Sequence, residues 1–220
     1  VQFEGDRYGG LKLVRAIKNR YGSTSDVALL ERTEAGLKQV DNPSAGLLAE
    51  RSLADGSIVL ATMEGNRPLL VEIQALVTAS PYGYPKRTAS GFDLNRLQLL
   101  IAVIEKRTKL TLADKDIFIN VVGGLKLSDP AADLAVCMAI ASAAAGRAMD
   151  ANAVVYGEVG LGGEIRSAHN ATRRIAEAKK LGFTYAVAPG IKPKDAFIRE
   201  TSTLIDALRG YLTTKSKGNS

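Results

Sequence analysis

Six consecutive residues near the start of the chain combine two cations with a glycine turn: Lys18-Asn19-Arg20-Tyr21-Gly22-Ser23. Alternate side chains of an extended strand project from the same face, so Lys18 and Arg20 would present two positive charges together. Two cations followed by a glycine suit a polyanion such as a nucleotide phosphate. A solvated basic strand end has the same pattern, and the residues alone favour that second interpretation.

Residues that could act as nucleophile or base are sparse. Cys137 is the only cysteine and His169 the only histidine. One cysteine excludes a disulfide framework and a cysteine-based zinc site, and it fits a reducing cytoplasm, where we place the protein. Cys137 lies in an apolar run that predicts a buried thiol, and His169 precedes a predicted helix as an exposed or capping residue. We predict no metal site.

Lys126 and Ser128 lie two residues apart and could form a nucleophile with its general base. Such a pair is more typical of a polar loop, and we favour that interpretation. The glycine-rich stretch 157–163 does not have the spacing of a P-loop or a dinucleotide-binding motif. It predicts a tight hairpin or a sheet edge.

The charge balance is mildly basic, with a formal charge of +6 and a pI of about 9.4 for 220 residues. Such an excess permits contact with a phosphate backbone without requiring it. The candidate DNA-contacting residues are two basic pairs, Lys86 with Arg87 and Arg173 with Arg174. Tyrosines beside the first pair add aromatic surface, although an ordinary solvated loop is an equally good interpretation. No apolar run is long enough to predict a membrane span.

Periodicity along the chain predicts an α/β protein. Residues 1–40 predict short antiparallel strands, with a hairpin from 26–31 and 36–40, and a boundary follows at 42–44. Alternating or continuous apolar residues predict further strands at 57–63, 67–79, 118–122, 154–160 and 185–188. Helices are predicted after the N-cap Asp93, at 130–146, at 170–180, and at 204–212 after a Thr203 cap.

Several stretches, taken in order, resemble the bacterial RadA (Sms-type) family of recombination ATPases. Lys18 to Gly22 resembles that family's Lys-Asn-Arg-Phe-Gly motif, with Tyr21 in place of phenylalanine. The longest similar stretch runs from Gly65 to Val77. Shorter ones lie at 3–7, 42–44, 95–97, 120–124 and 157–161. The resemblance covers nearly the whole chain, to about residue 190.

The resemblance implies a longer protein, and because Val1 opens a strand-like stretch we expect this chain to be its C-terminal part. RadA-like proteins join a zinc finger, a RecA-like ATPase and a Lon-protease-like domain, and their hexameric rings drive branch migration of recombination intermediates with ATP. The implied partners are single-stranded or branched DNA, further copies of the chain in a homohexamer, and a RecA-type recombinase. ATP, Mg²⁺ and Zn²⁺ are the implied cofactors of the longer protein. This sequence has neither Gly-x-x-x-x-Gly-Lys-Ser/Thr nor Cys-x-x-Cys, so we expect no ATPase activity from the chain alone.

By the same resemblance, Lys18 and Arg20 would reach the nucleotide of a neighbouring subunit. A cation delivered across an interface stabilises the charge on the transferring phosphoryl group. Direct contact of the same two cations with DNA is the rival hypothesis, and it predicts salt-sensitive binding.

The later part of the chain resembles the Lon proteolytic domain, in which a serine attacks and a lysine is the general base. Ser128 to Asp133 matches the serine stretch and places Ala131 at the nucleophile position. A count without gaps from Gly157 places Thr172 at the lysine position. A methyl group cannot attack a carbonyl and threonine is no base near neutral pH. We therefore expect a scaffold, with an active Lon-type serine-lysine peptidase as the alternative.

The expected architecture is α/β with two parts. Residues 1–45 are expected to be the terminal β-strands of a RecA-like ATPase core that carry the Lys18–Gly22 motif. Residues 46–213 are expected to form a Lon proteolytic-domain-like fold, of the ribosomal protein S5 domain 2-like class. Residues 214–220 are expected to be a disordered tail.

Overall fold

The computed structural model describes residues 2–4, 11–15, 27–33, 36–40, 42–51, 53–81 and 83–212. Its strands are β1 (Gln2–Glu4), β2 (Leu11–Arg15), β3 (Val27–Thr33), β4 (Gly36–Gln39), β5 (Ser57–Glu64), β6 (Arg67–Ala79), β7 (Arg87–Ser90), β8 (Lys115–Val121), β9 (Ala153–Val155), β10 (Glu158–Val159), β11 (Ile165–Arg166), β12 (Tyr185–Ala188) and β13 (Ile198–Glu200). Its α-helices are α1 (Pro43–Leu48), α2 (Leu94–Arg107), α3 (Asp133–Ala145), α4 (Ala171–Lys180) and α5 (Leu204–Tyr211), and single 3₁₀ turns lie at Val122–Gly124 and Pro130–Ala132.

The strands form three sheets. The strands β1 to β4 make an antiparallel meander in sequence order, so the predicted hairpin of 26–31 with 36–40 is confirmed as β3 and β4. A seven-stranded sheet follows the order β13-β12-β9-β5-β6-β8-β7, and four of its six pairings are parallel. The fold is therefore mixed α/β with a mostly parallel sheet. The short strands β10 and β11 form a separate antiparallel hairpin, as the glycine-rich stretch 157–163 predicted.

The pairing in the larger sheet changes at β5 from parallel, toward β9, to antiparallel, toward β6. On one side, β5 pairs with β6 along its whole length, from Ser57 with Gln74 to Glu64 with Arg67. On the other side, β5 pairs with β9 through a single residue pair, Leu60 with Val155. Every residue of β5 is buried. The strand is thus the centre of the sheet and has no solvent face, which explains why its sequence lacks polar alternation.

The helix α3 is the centre of the core. Residues 133–142 are all buried, and the run is rich in alanine. Small side chains allow a helix to approach a sheet closely, and α3 packs against both β5 and β6. It ends where Gly146 adopts the left-handed conformation at φ 58°, a position that favours glycine. The predicted central helix of 130–146 is confirmed, with its first turn in 3₁₀ form.

Local capping sets the other helix boundaries much as the sequence predicted. The Asp93 carboxylate accepts a hydrogen bond from the Arg96 N–H at 2.7 Å, which begins α2. The Thr203 hydroxyl accepts from the Asp206 N–H at 3.3 Å at the start of α5. Side-chain oxygens at this position satisfy N–H groups that have no partner within the helix.

One sequence prediction needs correction. Residues 154–160 do not form one strand, because the chain turns at Gly157, with φ 156°, between β9 and β10. A side chain there would meet Ile165 at 2.8 Å. At the predicted boundary of 42–44 the chain begins helix α1, which Asn42 caps and in which Ser44 and Leu47 are buried.

Candidate functional site

Ala131 lies at the start of the central helix, where the first turn of residues 130–132 leads into α3. Its side chain is 3% exposed, and its carbonyl accepts a hydrogen bond from Gly157 N–H at 2.8 Å. The Ala131 N–H donates to Asp129 Oδ1 at 3.0 Å. The position predicted for a nucleophile therefore holds a buried methyl group and offers no oxygen to attack a substrate.

Asp129, two residues earlier, forms a buried ion pair with Arg174 of α4. The Arg174 Nη1 to Asp129 Oδ2 distance is 2.7 Å, and the side chains of Arg174 and Asp129 are 1% and 10% exposed. The same oxygen accepts from the Thr62 hydroxyl and the Met63 N–H, both at 3.0 Å. Burial by itself would raise the pKa of Asp129, but the hydrogen bond and charge of Arg174, with the Ala131 and Met63 N–H groups, outweigh it and lower the pKa.

Arg174 makes two further hydrogen bonds, both to backbone carbonyls. Its Nη1 donates to the Ala61 carbonyl at 2.6 Å, and its Nε donates to the His169 carbonyl at 3.0 Å. The guanidinium lies 5.5 Å from the centre of the Tyr156 ring, a cation–π arrangement. Burial raises the pKa of Tyr156 to about 12, although the charge of Arg174 opposes the shift. These contacts join β5, α4 and the loop before α3 through one side chain.

The buried guanidinium corrects one predicted DNA contact. Arg174 cannot contact DNA in this structure, because its side chain is buried and bonded to the protein. Thr172, the position counted for the Lon lysine, is exposed on α4, and the residue of this helix that reaches the loop before α3 is Arg174. Ile175 and Ala178 are also buried, so helical spacing from those two apolar residues was the signal that could have placed Arg174 inward.

A second ion pair lies on the other side of the same loop. Arg96 of α2 donates through Nε to Asp133 Oδ1 at 3.0 Å and through Nη2 to Asp133 Oδ2. Its Nη2 also donates to the Val159 carbonyl at 3.0 Å, and the Val159 N–H donates to Asp133 Oδ2 at 3.1 Å. The hydrogen bond to Asp133 raises the pKa of Arg96. This pair connects α2, α3 and β10, so both sides of the loop are fixed.

A cleft of about 350 Å³ opens beside the loop. It is lined by Phe92, Asp93, Arg96, Leu127, Ser128, Asp129, Pro130, Asp133 and Glu158. Lys126 and Ser128 are both exposed, and the structure records no hydrogen bond between them. The cleft therefore contains no assembled serine-lysine pair. Its carboxylates Asp129 and Asp133 are each neutralised by an arginine.

The other candidate nucleophile and base do not supply a reactive pair. Cys137 is fully buried within α3, and burial strongly raises the pKa of its thiol. A thiol needs a lowered pKa to react as a thiolate near neutral pH. His169 is exposed before α4, as expected. Among the described residues, no group of three or more histidine, cysteine, aspartate or glutamate side chains is arranged to hold a metal ion.

The remaining candidate DNA-contacting residues differ in how available they are. Lys86 is exposed, and Arg173 is exposed while donating to the Asn66 carbonyl at 3.0 Å. Arg87 is half-buried and donates to the backbone carbonyls of Lys115 and Leu112, the latter at 3.0 Å. Lys86 and Arg173 are thus free to meet a phosphate, whereas Arg87 is mainly structural. The motif Lys18–Gly22 lies outside the described residues.

No helix in the part of the chain that the structure describes combines the length and the apolar character needed to cross a membrane.

Comparison with known proteins gives two kinds of match. A family model described as subunit ChlI of Mg-chelatase matches residues 87–191, less than half of the chain. DNA repair proteins RadA match most of the chain: the one from Aquifex aeolicus is 46% identical over 189 residues, covering 86% of this chain and 43% of that protein. Those from Bacillus subtilis and Streptococcus pneumoniae are 43% and 44% identical, covering 96% and 95% of this chain and 48% and 51% of the relatives. The chain spans about half the length of the curated relatives it matches.

Proposed function

We propose that this chain, which is related to the RadA DNA repair proteins over most of its length, is the scaffold and DNA-binding part of a DNA-dependent ATPase that processes recombination intermediates. In this proposal residues 46–213 have a Lon-protease-like fold without protease activity, and residues 1–45 complete a RecA-like ATPase core. The longer protein assembles as a homohexamer, uses ATP and Mg²⁺, carries a zinc finger and drives branch migration together with a RecA-type recombinase.

The main support for the proposal is Ala131, which occupies the position that the Lon resemblance assigns to the nucleophile. Ala131 has no nucleophilic atom, and the nearest carboxylate, Asp129, is held by Arg174, Thr62 and two backbone N–H groups. An ionised carboxylate with four donors and a lowered pKa is a poor general base, because its protonated form is disfavoured. Arginine does not deprotonate in proteins and cannot replace the lysine. These groups therefore stabilise the fold and do not catalyse peptide hydrolysis.

DNA binding is supported by charge and by the exposure of basic side chains. The chain has a formal charge of +6, and Lys86 and Arg173 are exposed in the structure. Each lysine or arginine that neutralises a phosphate releases counterions, so binding of this kind weakens steeply with salt. In the proposal, the phosphate backbone is contacted by Lys86 and Arg173.

Lys18 and Arg20 have a separate role in the proposal. They act in trans on the ATP of a neighbouring subunit, which makes hydrolysis depend on ring assembly. The test is the ATPase rate of the longer protein carrying Lys18→Ala or Arg20→Ala, measured with and without DNA. We expect loss of ATPase activity in both conditions. If the variants lost only the increase in ATPase rate that DNA causes, Lys18 and Arg20 would instead be DNA-contacting residues.

The DNA-binding part is tested by fluorescence anisotropy of the chain with branched and single-stranded DNA at low and moderate salt. The double variant Lys86→Ala/Arg173→Ala should bind more weakly, with a salt dependence of log K reduced by about 2. Lys194→Ala, which removes another exposed cation, is the matched control. Binding that the double variant leaves unchanged would remove these residues from the DNA interface.

The peptidase alternative is tested with casein as substrate and Ser128→Ala as the control variant. We expect no hydrolysis by either chain. Cleavage that disappears in Ser128→Ala would overturn the scaffold proposal.

A further inference from the structure

A second pocket, far along α3 from Ala131, is formed where the C-terminal end of α3 meets α5 and the loop after α2. Its volume is about 250 Å³. The apolar part of its lining comes from Leu110, Ala141, Ala145, Ile205, Leu208 and Leu212. Pockets for drug-sized ligands begin at about 300 Å³. This pocket therefore suits one bulky apolar side chain better than a whole small molecule.

Thr108 and three cations complete the lining, which contains no carboxylate. Lys109 and Arg209 are exposed, and Arg147 is half-buried and donates to the Leu212 carbonyl. The Arg147 contact ties the end of α5 to the loop after α3, where Met149 and Leu212 also form an isolated antiparallel bridge. These contacts fix the wall of the pocket, and the described lining contains no aspartate or glutamate beside Lys109 and Arg209.

An apolar floor with a cationic rim is complementary to an acidic peptide that carries an apolar anchor. The anchor would remove apolar surface from water, and the acidic residues would pair with the rim. The residues that follow Leu212, 213–220, include two lysines and neither an acidic nor a bulky apolar side chain. Their two lysines carry the same sign of charge as the rim, so this segment is not complementary to the pocket.

We propose that this pocket docks an acidic segment of a partner protein, with one leucine- or phenylalanine-sized side chain inserted between α3 and α5. The cations Lys109 and Arg209 then face the flanking acidic residues. DNA would use the same cations but would leave the apolar floor without an occupant, so the floor favours a peptide. The proposal does not depend on the DNA-binding role assigned to Lys86 and Arg173.

The test uses a short fluorescein-labelled peptide in which glutamates and aspartates flank a single phenylalanine, titrated with the chain while anisotropy is recorded. Two control peptides replace the phenylalanine by serine or the acidic residues by their amides. We expect binding of the first peptide, and at least a roughly tenfold weaker affinity for each control. Equal binding of the serine peptide would show that the apolar floor is not used and would overturn the proposal.

Variants of the protein test whether the peptide binds in the pocket between α3 and α5. The double variant Lys109→Glu/Arg209→Glu should weaken peptide binding about tenfold or more, because each change replaces an attraction by a repulsion at the rim. Ala145→Phe fills the pocket from an exposed position and should weaken binding with the rim charges intact. Lys126→Glu, an exposed cation that does not line the pocket, is the matched charge control and should bind normally. Circular dichroism melts confirm that each variant is folded.

A competition experiment separates a peptide site from a DNA site. Unlabelled single-stranded DNA is added to the peptide complex, and DNA affinity is measured for Lys109→Glu/Arg209→Glu. The proposal expects little displacement and nearly unchanged DNA affinity. Full displacement, with DNA binding lost in the same variant, would assign the surface to DNA and overturn the peptide proposal. Absence of any peptide binding would overturn it equally.

Discussion

Replacing Arg174 by methionine removes the guanidinium of the buried ion pair while keeping an unbranched side chain of similar length. The substitution leaves Asp129 without its charged partner, and it leaves the carbonyls of Ala61 and His169 without a donor. Removal of one member of a buried ion pair destabilises a protein by about 3–5 kcal/mol. Because Asp129 keeps its bonds from Thr62, Met63 and Ala131, we expect a loss of about 3 kcal/mol.

For a chain of this size, each 1 kcal/mol lowers the melting temperature by about 2–4 °C, so a decrease of about 6–12 °C is expected. The assay is urea unfolding followed by circular dichroism, with calorimetry for the melting temperature. Arg173→Met is the matched control: it removes the exposed arginine next in sequence and should change stability by no more than about 0.5 kcal/mol. A loss below about 1 kcal/mol for Arg174→Met, at an unchanged denaturant slope, would refute the structural role assigned to the pair.

The ion pair of Asp129 and Arg174 also predicts how the stability of the fold changes with pH. The pKa of Asp129 is lowered in the folded state, whereas in the unfolded chain it is expected near its ordinary value of about 3.9. The stability that the carboxylate contributes is therefore fully present above the unfolded pKa and is lost as the pH falls through the folded pKa. The stability difference between the protein and Asp129→Asn should be constant near neutral pH and should shrink below about pH 4. A difference that grows on acidification would contradict this sign.

Three further predictions concern the core and residue 131. Ala131→Ser should fold and should not hydrolyse casein, because no lysine is among the described residues that line the adjacent cleft; casein hydrolysis by this variant would contradict this. Gly56→Ala should destabilise the fold by about 2 kcal/mol or more in urea unfolding, since its φ is +84° and the new Cβ would lie 2.2 Å from the Ala75 carbonyl oxygen. Gly83→Ala, at φ +70° with no atom within 4 Å of the new Cβ, should lose only about 1 kcal/mol. The Cys137 thiol should react with a disulfide reagent only after denaturation, because it is fully buried; rapid labelling of the native chain would show that α3 opens.

The elements most accurately predicted are those whose signals are local. Asp93 and Thr203 were predicted as caps and act as caps, and the Gly65-Asn66 turn joins β5 to β6 as an antiparallel hairpin. Capping and turn chemistry involve only a few adjacent residues, so a single sequence contains the whole signal. The break at Gly157 was missed because it depends on close packing against Ile165, which no local pattern reveals.

In the candidate site, too, the position of a residue along the chain was predicted, whereas a contact between distant residues was not. Ala131 was placed correctly at the start of the central helix, because the stretch from Ser128 to Asp133 has a fixed spacing to that helix. Thr172, counted as the lysine position, is exposed on α4, and Arg174 of the same helix reaches the loop before α3. The two contacting residues Asp129 and Arg174 are separated by 45 positions, and a count along the chain does not determine the rotation of a helix about its axis. The apolar positions Ile175 and Ala178 do determine it.

Because β5 pairs with β6 on one side and with β9 on the other, its two edges are expected to pair at different times during folding. The hairpin of β5 and β6 needs only a two-residue turn and can close within microseconds, whereas the contact of Leu60 with Val155 requires a loop of more than ninety residues to close first. Contacts of such long range form slowly. We therefore expect β9, β12 and β13 to join a hairpin of β5 and β6 that has already formed. Until β9 pairs, one edge of β5 has no neighbouring strand, and an exposed edge of this kind can pair with another molecule.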